Sequence, residues 1–281
     1  MHTEQKLRLR ENRIVRTLIY PWKRWRVRQT QRRFAKSEHA KRIEAFHGAY
    51  KGERCFIIGN GPSLRTKDLE ALRDEVTFAA NRIYRLYDET DWRPTFWMCV
   101  DPYILAEDHD LIEKLPGMRF VSDIAEQYGV LANETLYMIH NHQPYYINKY
   151  SSKIQVPFSE DVSRGFEAGE TVTYNAIQFA AYMGFTQIFL LGVDHNYSQK
   201  MNEKGQLQID RSVRDYFGDV KTENYNIQNF PVSTKAYYSA RAYADTHGIQ
   251  IFNATRGGKL EVFPRVSFDE VTDKGKDIAS E

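Results

Sequence analysis

Residues that could hold a phosphate group follow a short apolar segment at residues 55–58. The continuation GNGPS at residues 59–63 places two glycines two positions apart, which permits a tight turn and close approach of another group to the backbone. Pro and Ser then suit the first turn of a helix, where N–H groups are free. Strand, glycine turn and helix start form the geometry that binds phosphate in α/β proteins. Leu64 replaces the third glycine of the dinucleotide fingerprint, so a plain strand-to-helix turn fits equally well.

Polar residues also follow four other segments that we predict to be strands. The carboxyl ends of parallel strands lie at one edge of a sheet, and ligands of such sheets bind there. With the turn at 59–63 they make five polar strand ends, which together predict a cleft. The four endings are Asn81-Arg82, Asp101, Asp194-His195-Asn196 and Asn253-Ala254-Thr255.

Three of these residues could carry out chemistry in such a cleft. An imidazole titrates near neutral pH, so His195 could deprotonate an acceptor hydroxyl; alternatively it fixes a loop by hydrogen bonding. Asp194 and Asp101 could bind a ribose, a sugar hydroxyl or a metal, and each could equally cap the turn that follows it.

Other polar residues are weaker candidates. Amide groups could bind phosphate without adding charge, and guanidinium or ammonium groups could neutralise it, although capping or a surface position explains each of them as well. The D-x-D string at residues 108–110 is expected in a helix, so we predict no metal site there. Two histidines after the strand at 136–139 could line an acceptor site or belong to a loop. These candidates are the amides Asn60 and Asn81, the cations Arg82, Arg256 and Lys259, and the histidines His140 and His142.

Alternating strands and helices must position these residues. Continuous apolar strands separated by helices predict an α/β fold, a Rossmann-like, doubly wound and mostly parallel sheet with helices on both faces. We predict a long loop or lid at 198–230. Strands are predicted at 54–58, 76–80, 95–100, 119–122, 136–139, 153–156, 187–191 and 250–252, and helices at 67–73, 83–88, 104–115, 171–183 and 234–246.

The first 50 residues differ from the rest in charge. They contain 14 Lys/Arg and 4 Asp/Glu, a balance of +10, which leaves −8 for the remainder because the whole chain carries +2. We predict a basic amphipathic helical arm at 1–50, which Pro21 could interrupt, an α/β domain at 51–266 and a polar tail at 267–281. The arm could bind an anionic membrane surface, pack on the domain or form a homo-oligomer; nucleic acid is a third partner that we do not expect.

The cysteine count and the hydropathy pattern bear on location. The two cysteines lie in apolar segments and suggest a reduced protein, and no segment of transmembrane length and no signal peptide is evident. We therefore expect a cytoplasmic protein, peripheral to the inner membrane face if the arm binds lipid.

Several ordered motifs resemble one known family. The strings IIGNGPSL, AANRIY, VDPY, GETVTYNAIQFAAYMGF, QIFLLGVDHNYS and NATRGGKLEVFPRV resemble the MptE-like domain, which is named for an archaeal 6-hydroxymethylpterin diphosphokinase. They are also similar to bacterial family 42 sialyltransferases and to Maf proteins of flagellin glycosylation. The resemblance covers about residues 51–266 and implies a nucleotide cleft.

The resemblance also implies roles for individual residues. The sialyltransferases hold a CMP-sugar without a metal, and their base is a His just before the last long helix. No His occurs at 196–246, where the matching segment is NIQNFP, so His195 is a substitute candidate for the base, and the resemblance implies that Asp194 would lie at the cleft edge. The expected nucleotide contacts, drawn from the motifs and the strand ends, are Gly59, Asn60, Gly61, Ser63, Asn81, Arg82, Asp101, Glu170, Thr171 and Asn253.

The resemblance leaves three functions open. The first is a glycosyltransferase of bacterial surface glycans, which takes a nucleotide-sugar, most plausibly CMP-linked, as substrate and a glycan or lipid-linked acceptor, and requires no cofactor. The second is a pterin diphosphokinase that uses ATP and Mg²⁺, with Asp101 and Asp194 as metal ligands. The third is a nucleotide-binding scaffold without catalysis.

Overall fold

A seven-stranded parallel sheet forms the centre of the protein. The computed structural model describes residues 13–142, 155–202, 206–217 and 229–278. The strand order across the sheet is β11-β8-β1-β2-β3-β4-β5. The strands are β1 Arg54–Ile58, β2 Thr77–Ala80, β3 Phe96–Cys99, β4 Met118–Ser122, β5 Leu136–Ile139, β8 Gln187–Leu191 and β11 Gln250–Asn253; two short pairs, β6 Asn141–His142 with β7 Phe166–Glu167 and β9 Gln199–Met201 with β10 Leu207–Ile209, lie outside it.

Helices cover both faces of the sheet because its strands are apolar on both faces. In β1, Cys55 and Ile57 belong to one core cluster and Phe56 and Ile58 to the other, as side chains alternate along a strand. The first cluster includes helices α2 Glu38–Glu44, α6 Val172–Met183 and α7 Phe230–His247. The second includes α3 Thr66–Glu70, α4 Pro102–Glu107, α5 His109–Ile112 and α8 Phe268–Ile278. The predicted fold class is confirmed.

The order of the strands creates a switch point between β1 and β8. From β1 the chain continues through β2 to β5 on one side, and it then returns to add β8 and β11 on the other side. Ligands of open α/β sheets bind beyond the carboxyl ends of the strands at such a point. The turn after β1 and the polar residues after β8 lie there.

Several predicted element boundaries were wrong. The helix expected at 104–115 is split into α4 and α5, because Asp108 leaves helical geometry (φ −112°, ψ 18°) and its carboxylate binds Arg82 and Tyr84. The segment expected as a helix at 83–88 is a 3₁₀ helix, Asn81–Leu86. The strand expected at 153–156 is not formed at residues 155 and 156, and its first half lies outside the described residues. Helix α7 begins four residues earlier than expected, and the predicted tail contains α8.

From residue 13 onward the N-terminal segment is largely helical, as expected, and residues 1–12 of the predicted arm lie outside the described residues. Helix α1, Arg13–Phe34, continues through Pro21, so the interruption allowed there does not occur. Helix α2 then packs into the core through Ile43, and the Arg42 guanidinium donates to backbone carbonyls of Asn133 and Leu136. In the part of the chain that the structure describes, no helix is long and apolar enough to cross a membrane.

The segment predicted as a lid contains a hairpin and contacts the turn after β1. Strands β9 and β10 form a hairpin within it, and the Phe217 N–H donates to the Asn60 carbonyl at 3.0 Å. This bond anchors the end of the segment beside the turn after β1. Residues 203–205 and 218–228 of the predicted lid lie outside the described residues.

Candidate functional site

A cleft opens at the switch point, beyond the carboxyl ends of β1, β2 and β8. The start of α6 forms one wall, and residues from the lid segment form another. The residues that line it beyond the strands themselves are Gly59, Asn60, Gly61, Asn81, Thr171, Val172, Thr173, Ala176, Gly192, Val193, Asp194, His195, Asn196, Tyr197, Asp215 and Tyr216.

The two glycines of the turn after β1 are required by packing within the protein. A Cβ at Gly59 would overlap the Gly192 carbonyl, and a Cβ at Gly61 would overlap the Asp194 carboxylate. The amides of the turn are also engaged: the Gly59 N–H donates to Leu191 O at 2.8 Å and the Gly61 N–H to Gly192 O at 2.9 Å. The turn therefore holds β1 against the end of β8, and these two donors are not directed at a ligand.

Asp194 lies over this turn. Its Oδ2 accepts from the Ser63 hydroxyl at 2.7 Å, and the Ser63 N–H also contributes a backbone hydrogen bond. Burial raises the pKa of the Asp194 carboxyl, and the two Ser63 bonds oppose that rise. A carboxylate of the chain thus occupies the Ser63 donors that the sequence assigned to phosphate. The helix start predicted at Pro62 and Ser63 is also wrong, because α3 begins at Thr66.

Strained backbone is concentrated at the cleft. Among the described residues, the non-glycine residues with positive φ are Asn81 (51°), Glu170 (59°) and His195 (49°). Asn81 and His195 line the cleft, and Glu170 precedes its wall residue Thr171. Left-handed conformations of this kind cost about 1–3 kcal/mol and cluster at functional sites. The three positions therefore mark this cleft as the site for which the fold retains unfavourable geometry.

His195 is packed between aromatic rings at the base of the cleft. It is 3% exposed and stacks on Phe230, the first residue of α7, with ring centroids 4.3 Å apart. Tyr237 meets it edge-on at 5.3 Å. Burial, with a smaller contribution from the Lys200 charge, lowers the pKa of His195 to about 4. The imidazole is therefore neutral at physiological pH.

The hydrogen bonds of Thr234 decide the tautomer of His195. The Thr234 hydroxyl donates to the Phe230 carbonyl at 2.9 Å, so its oxygen accepts from His195 Nε2, 2.8 Å away. We therefore assign the proton to Nε2. Nδ1 is then a lone-pair acceptor, and it is buried without a hydrogen-bond partner among the described residues.

Three amide oxygens around the cleft also have no partner within the described ranges. They are Asn60 Oδ1, Asn81 Oδ1 and Asn196 Oδ1, each buried. The Asn60 Nδ2 donates to Ala80 O at 2.9 Å, which fixes the orientation of that amide. Unpaired buried acceptors are costly, and hydroxyl or amino groups of a ligand would satisfy them. The amides thus present acceptors where the sequence suggested donors to phosphate.

Cations predicted near a phosphate are paired elsewhere. Arg82 is buried and binds the carboxylates of Glu107 and Asp108; burial opposes its charge, but these two bonds hold the pKa of its guanidinium above the usual value. Arg256 binds Asp68 and Asp269. Of the described residues that line the cleft, none is Lys or Arg, and the charged ones are Asp194 and Asp215.

Two further residues that were predicted to contact a nucleotide form hydrogen bonds with the backbone instead. Asp101 caps α4 by accepting from the Tyr103 N–H at 2.8 Å. Asn253 is 1% exposed; its Nδ2 donates to Leu260 O at 2.7 Å and its Oδ1 accepts from the Thr255 N–H at 3.0 Å. Of the predicted site residues, the cleft lining brings together Gly59, Asn60, Gly61, Asn81, Thr171, Asp194 and His195, and it does not include Ser63, Arg82, Asp101, Glu170 and Asn253.

The other histidines form a separate group at the far side of the sheet. His140 Nδ1 lies 2.5 Å from Asp123 Oδ2, and the ring stacks on Phe34. His142 is buried, and burial, with the His140 charge, lowers its pKa to about 4. The D-x-D string contributes Asp108 to Arg82, and among the described residues no group of three or more His, Cys, Asp or Glu could hold a metal.

Sequence reasoning missed several residues of the cleft. Asp215 and Tyr216 reach it from the lid segment, and Phe230 and Thr234 reach His195 from α7. The Pro at the second position of α7 was a signal that the helix starts near residue 230. For the lid residues no signal was available, because their segment lacks periodicity.

Fold and cleft together define a doubly wound α/β protein with a polar cleft at its switch point. Residues 29–200, more than half of the chain, match the family described as 6-hydroxymethylpterin diphosphokinase MptE-like. The chain belongs to the MptE-like family, as the sequence motifs predicted. No curated protein matches it.

Proposed function

We propose that this protein is a glycosyltransferase that uses a nucleotide-sugar, most plausibly CMP-linked, to build a bacterial surface glycan. The observation that carries the proposal is His195, a neutral imidazole that lines the cleft with Nδ1 unpartnered in the described structure. It stacks on the first residue of α7. The sialyltransferases that the chain resembles place their base just before the last long helix, so His195 would reach the same region from β8.

The cleft offers acceptors to a donor with many hydroxyl groups. The unpaired oxygens of Asn60, Asn81 and Asn196 would accept from ribose hydroxyls or a base amino group. The phosphate would lie toward the start of α6 at Thr171, where a helix N-terminus favours an anion. The turn at residues 59–63 would shape one wall of the cleft and supply the Asn60 amide. Its glycines would leave the space that Asp194 occupies.

The reaction follows from the position of the imidazole lone pair. His195 Nδ1 would remove the proton of an acceptor hydroxyl, whose oxygen would attack the anomeric carbon of the donor. The bond between that carbon and the phosphate oxygen would break, and the nucleotide would leave with the electron pair. Binding of an anionic donor would raise the pKa of His195 from about 4 and make it a stronger base.

A pyrophosphoryl transfer of the kind in the family's name is the second candidate. The observation that favours it is the pair of carboxylates that line the cleft, Asp194 and Asp215. Mg²⁺ is usually held by one or two carboxylates together with substrate phosphates, so these residues fit a metal delivered with ATP. However, Asp215 accepts from Ser198 and Asp194 from Ser63, so both would have to exchange partners. A scaffold that binds nucleotide without catalysis is the third candidate function.

Thermal unfolding with ligands separates the three functions. We expect CMP to raise the midpoint without Mg²⁺, by roughly 5–10 °C at about 100 times Kd. UMP, which differs at the base edge, is the matched control and should stabilise less. Stabilisation only by ATP with Mg²⁺, or by a hydroxymethylpterin, would replace the proposal with the diphosphokinase. Stabilisation by CMP without turnover of any CMP-sugar would support the scaffold.

A further inference from the structure

We propose that helix α1 binds the surface of an anionic lipid bilayer, with Trp22 and Trp25 inserted at the level of the head groups. This inference concerns a surface outside the cleft, and it does not rest on the proposed function. The two tryptophans are 52% and 56% exposed, whereas Trp92 and Trp97 in the domain are 2% and 1% exposed. Large exposed aromatics of this kind mark a contact surface.

The tryptophans belong to one side of the helix. Ile14, Leu18, Trp22 and Trp25 follow one another at intervals of four, four and three residues, the spacing of a single helical face. Trp and Tyr favour the boundary between water and hydrocarbon because their rings are apolar and their N–H or O–H groups remain hydrated. The face is thus suited to a lipid surface.

Among the side chains of α1 that the structure describes, contact with the domain is made near the end of the helix. Phe34 is buried and stacks on His140 with ring centroids 5.5 Å apart. The described side chains at residues 21, 22, 25, 26 and 28 are all exposed. Trp22 and Trp25 are therefore available to an external partner.

The charge of α1 selects the partner. Residues 13–34 contain eight Lys or Arg and no Asp or Glu. Arg26, Arg28, Arg32 and Arg33 are exposed, and within the described ranges none of them forms an ion pair. A second copy of α1 would bring like charges together, whereas anionic lipid attracts each Lys or Arg by about 1 kcal/mol. An anionic membrane matches both the tryptophans and the arginines.

The geometry is that of a helix that lies on the membrane. Its 22 residues span about 33 Å, and no described helix meets the requirement for a membrane span. The contact of Phe34 with His140, directly after β5, joins α1 to the carboxyl edge of the sheet. Binding through α1 therefore brings the edge that carries the cleft toward the lipid surface.

Vesicle binding tests the proposal with the full chain. We expect cosedimentation with vesicles of phosphatidylcholine and phosphatidylglycerol, little with phosphatidylcholine alone, and release by salt. The chain has four tryptophans, two of them buried. Emission of the exposed pair should shift to shorter wavelength on binding, and brominated lipid should quench it.

Paired variants locate the contact. Replacing both exposed tryptophans (Trp22→Ala with Trp25→Ala) should abolish the spectral shift and weaken binding at least about tenfold. Arg28→Glu with Arg32→Glu should weaken it at least roughly 30-fold. The matched controls are Leu131→Ala with Tyr238→Ala, and Lys67→Glu with Lys114→Glu, all exposed positions of the domain. These should bind like the unchanged chain.

Three results would overturn the proposal. The first is the absence of binding to anionic vesicles, and the second is equal binding of neutral and anionic vesicles. The third is a dimer that both Trp→Ala changes dissociate while vesicle binding is unchanged, since α1 would then contact a second copy. Circular dichroism of each variant shows whether the domain is folded, so a loss of binding is assigned to the surface only in folded protein.

Discussion

In the proposed reaction, His195 is the residue on which the chemistry of the cleft depends. Its Nε2 proton is fixed by Thr234, and its Nδ1 lone pair is left without a partner in the described structure. A buried neutral imidazole with a pKa lowered to about 4 is a weak base. It would become a stronger one when an anion binds, so proton removal is coupled to the presence of the donor.

Replacing His195 by Gln should separate binding from transfer. The Gln amide can still reach Thr234, but it supplies no base. We expect kcat to fall by about two to four orders of magnitude, with stabilisation by CMP retained. His142→Gln is the matched control, because His142 is also buried with a pKa lowered to about 4 but does not line the cleft. Steady-state transfer from a CMP-sugar is the measurement, and equal loss in both variants would contradict the assignment.

A second residue, Glu167, predicts how stability changes with pH. Burial raises the pKa of its carboxyl from 4.5 to about 7. The folded state therefore holds this proton more tightly, and its contribution is complete below pH 4.5 and lost as pH rises through 7. We expect Glu167→Gln to remove roughly 1–3 kcal/mol of the decline in unfolding free energy between pH 5 and 8. Urea titrations at both pH values, with the exposed Glu134→Gln as control, test this; an unchanged decline would show that Glu167 is ionised in the fold.

Arg82 is an example of a residue whose partners could not be predicted from the sequence. Its position after β2 was predicted correctly, and so was its proximity to the sheet edge. Glu107 and Asp108 neutralise it, however, and they lie about 25 residues further along the chain. Local sequence carries no information on such long-range pairs, so a phosphate-binding Arg and a paired Arg look the same.

At the scale of secondary structure, the end of β8 and the start of α7 act together. The positive φ of His195 turns its ring from the strand end toward Phe230 and Thr234. The stack holds the plane of the ring, and the hydrogen bond holds its rotation. Two elements that are about 40 residues apart in the chain thus position one imidazole.

In the proposed reaction Thr234 is therefore a positioning residue, and we expect its replacement to give a specific kinetic pattern. Thr234→Val keeps the size of the side chain but removes the acceptor of the Nε2 proton, so the ring can turn and change tautomer. We expect kcat to fall roughly 10- to 100-fold with KM for the donor unchanged, and Thr234→Ser to restore most of it. A change of KM alone, or no recovery with Ser, would indicate a role in donor binding or packing instead.

The elements that the sequence predicted well are those whose pattern is local. Strand β8 matched its predicted bounds because its apolar residues follow one another without interruption between a turn and a glycine. Helix α6 matched its predicted bounds within one residue. The sequence predicted α4 and α5 as one helix because Asp108 by itself is compatible with helical geometry. In the structure Arg82 and Tyr84 bind its carboxylate, and the helix is interrupted there. A tertiary contact decided this case. The start of α7 was missed although Pro231 at its second position is typical of a helix start, and Phe230 before it stacks on His195.

At the scale of the whole molecule, the change in charge along the chain and the start of the packed core lie at different residues. The basic segment ends near residue 50, which suggested a domain start at Lys51. The core nevertheless includes Ile43, and the ring of Phe46 meets the rings of Phe120 and Phe179 at 5.4 and 5.6 Å. Charge is carried on exposed side chains, so a composition shift does not detect the few buried residues of a basic helix.

Truncations test where the folded unit begins. A chain that starts at residue 29 keeps Phe34, Ala40 and Ile43, all buried, and should match the full chain in unfolding free energy within about 0.5 kcal/mol. A chain that starts at residue 46 loses all three. Its urea midpoint should fall steeply, because removal of one fully buried Ile side chain alone costs about 2–5 kcal/mol.

Ile43→Ala in the full chain keeps this prediction testable if the shorter truncation does not fold. The Ile43 side chain is 0% exposed, so we expect a loss of about 2–5 kcal/mol with an unchanged slope of free energy against urea. Ala45→Gly, at an exposed position of the same segment, is the matched control. If the chain from residue 46 were as stable as the full chain, α2 would not be required for the folded domain. The stacking of Phe34 on His140 would then not be sufficient to hold α1 and its proposed lipid-binding face at the edge of the cleft.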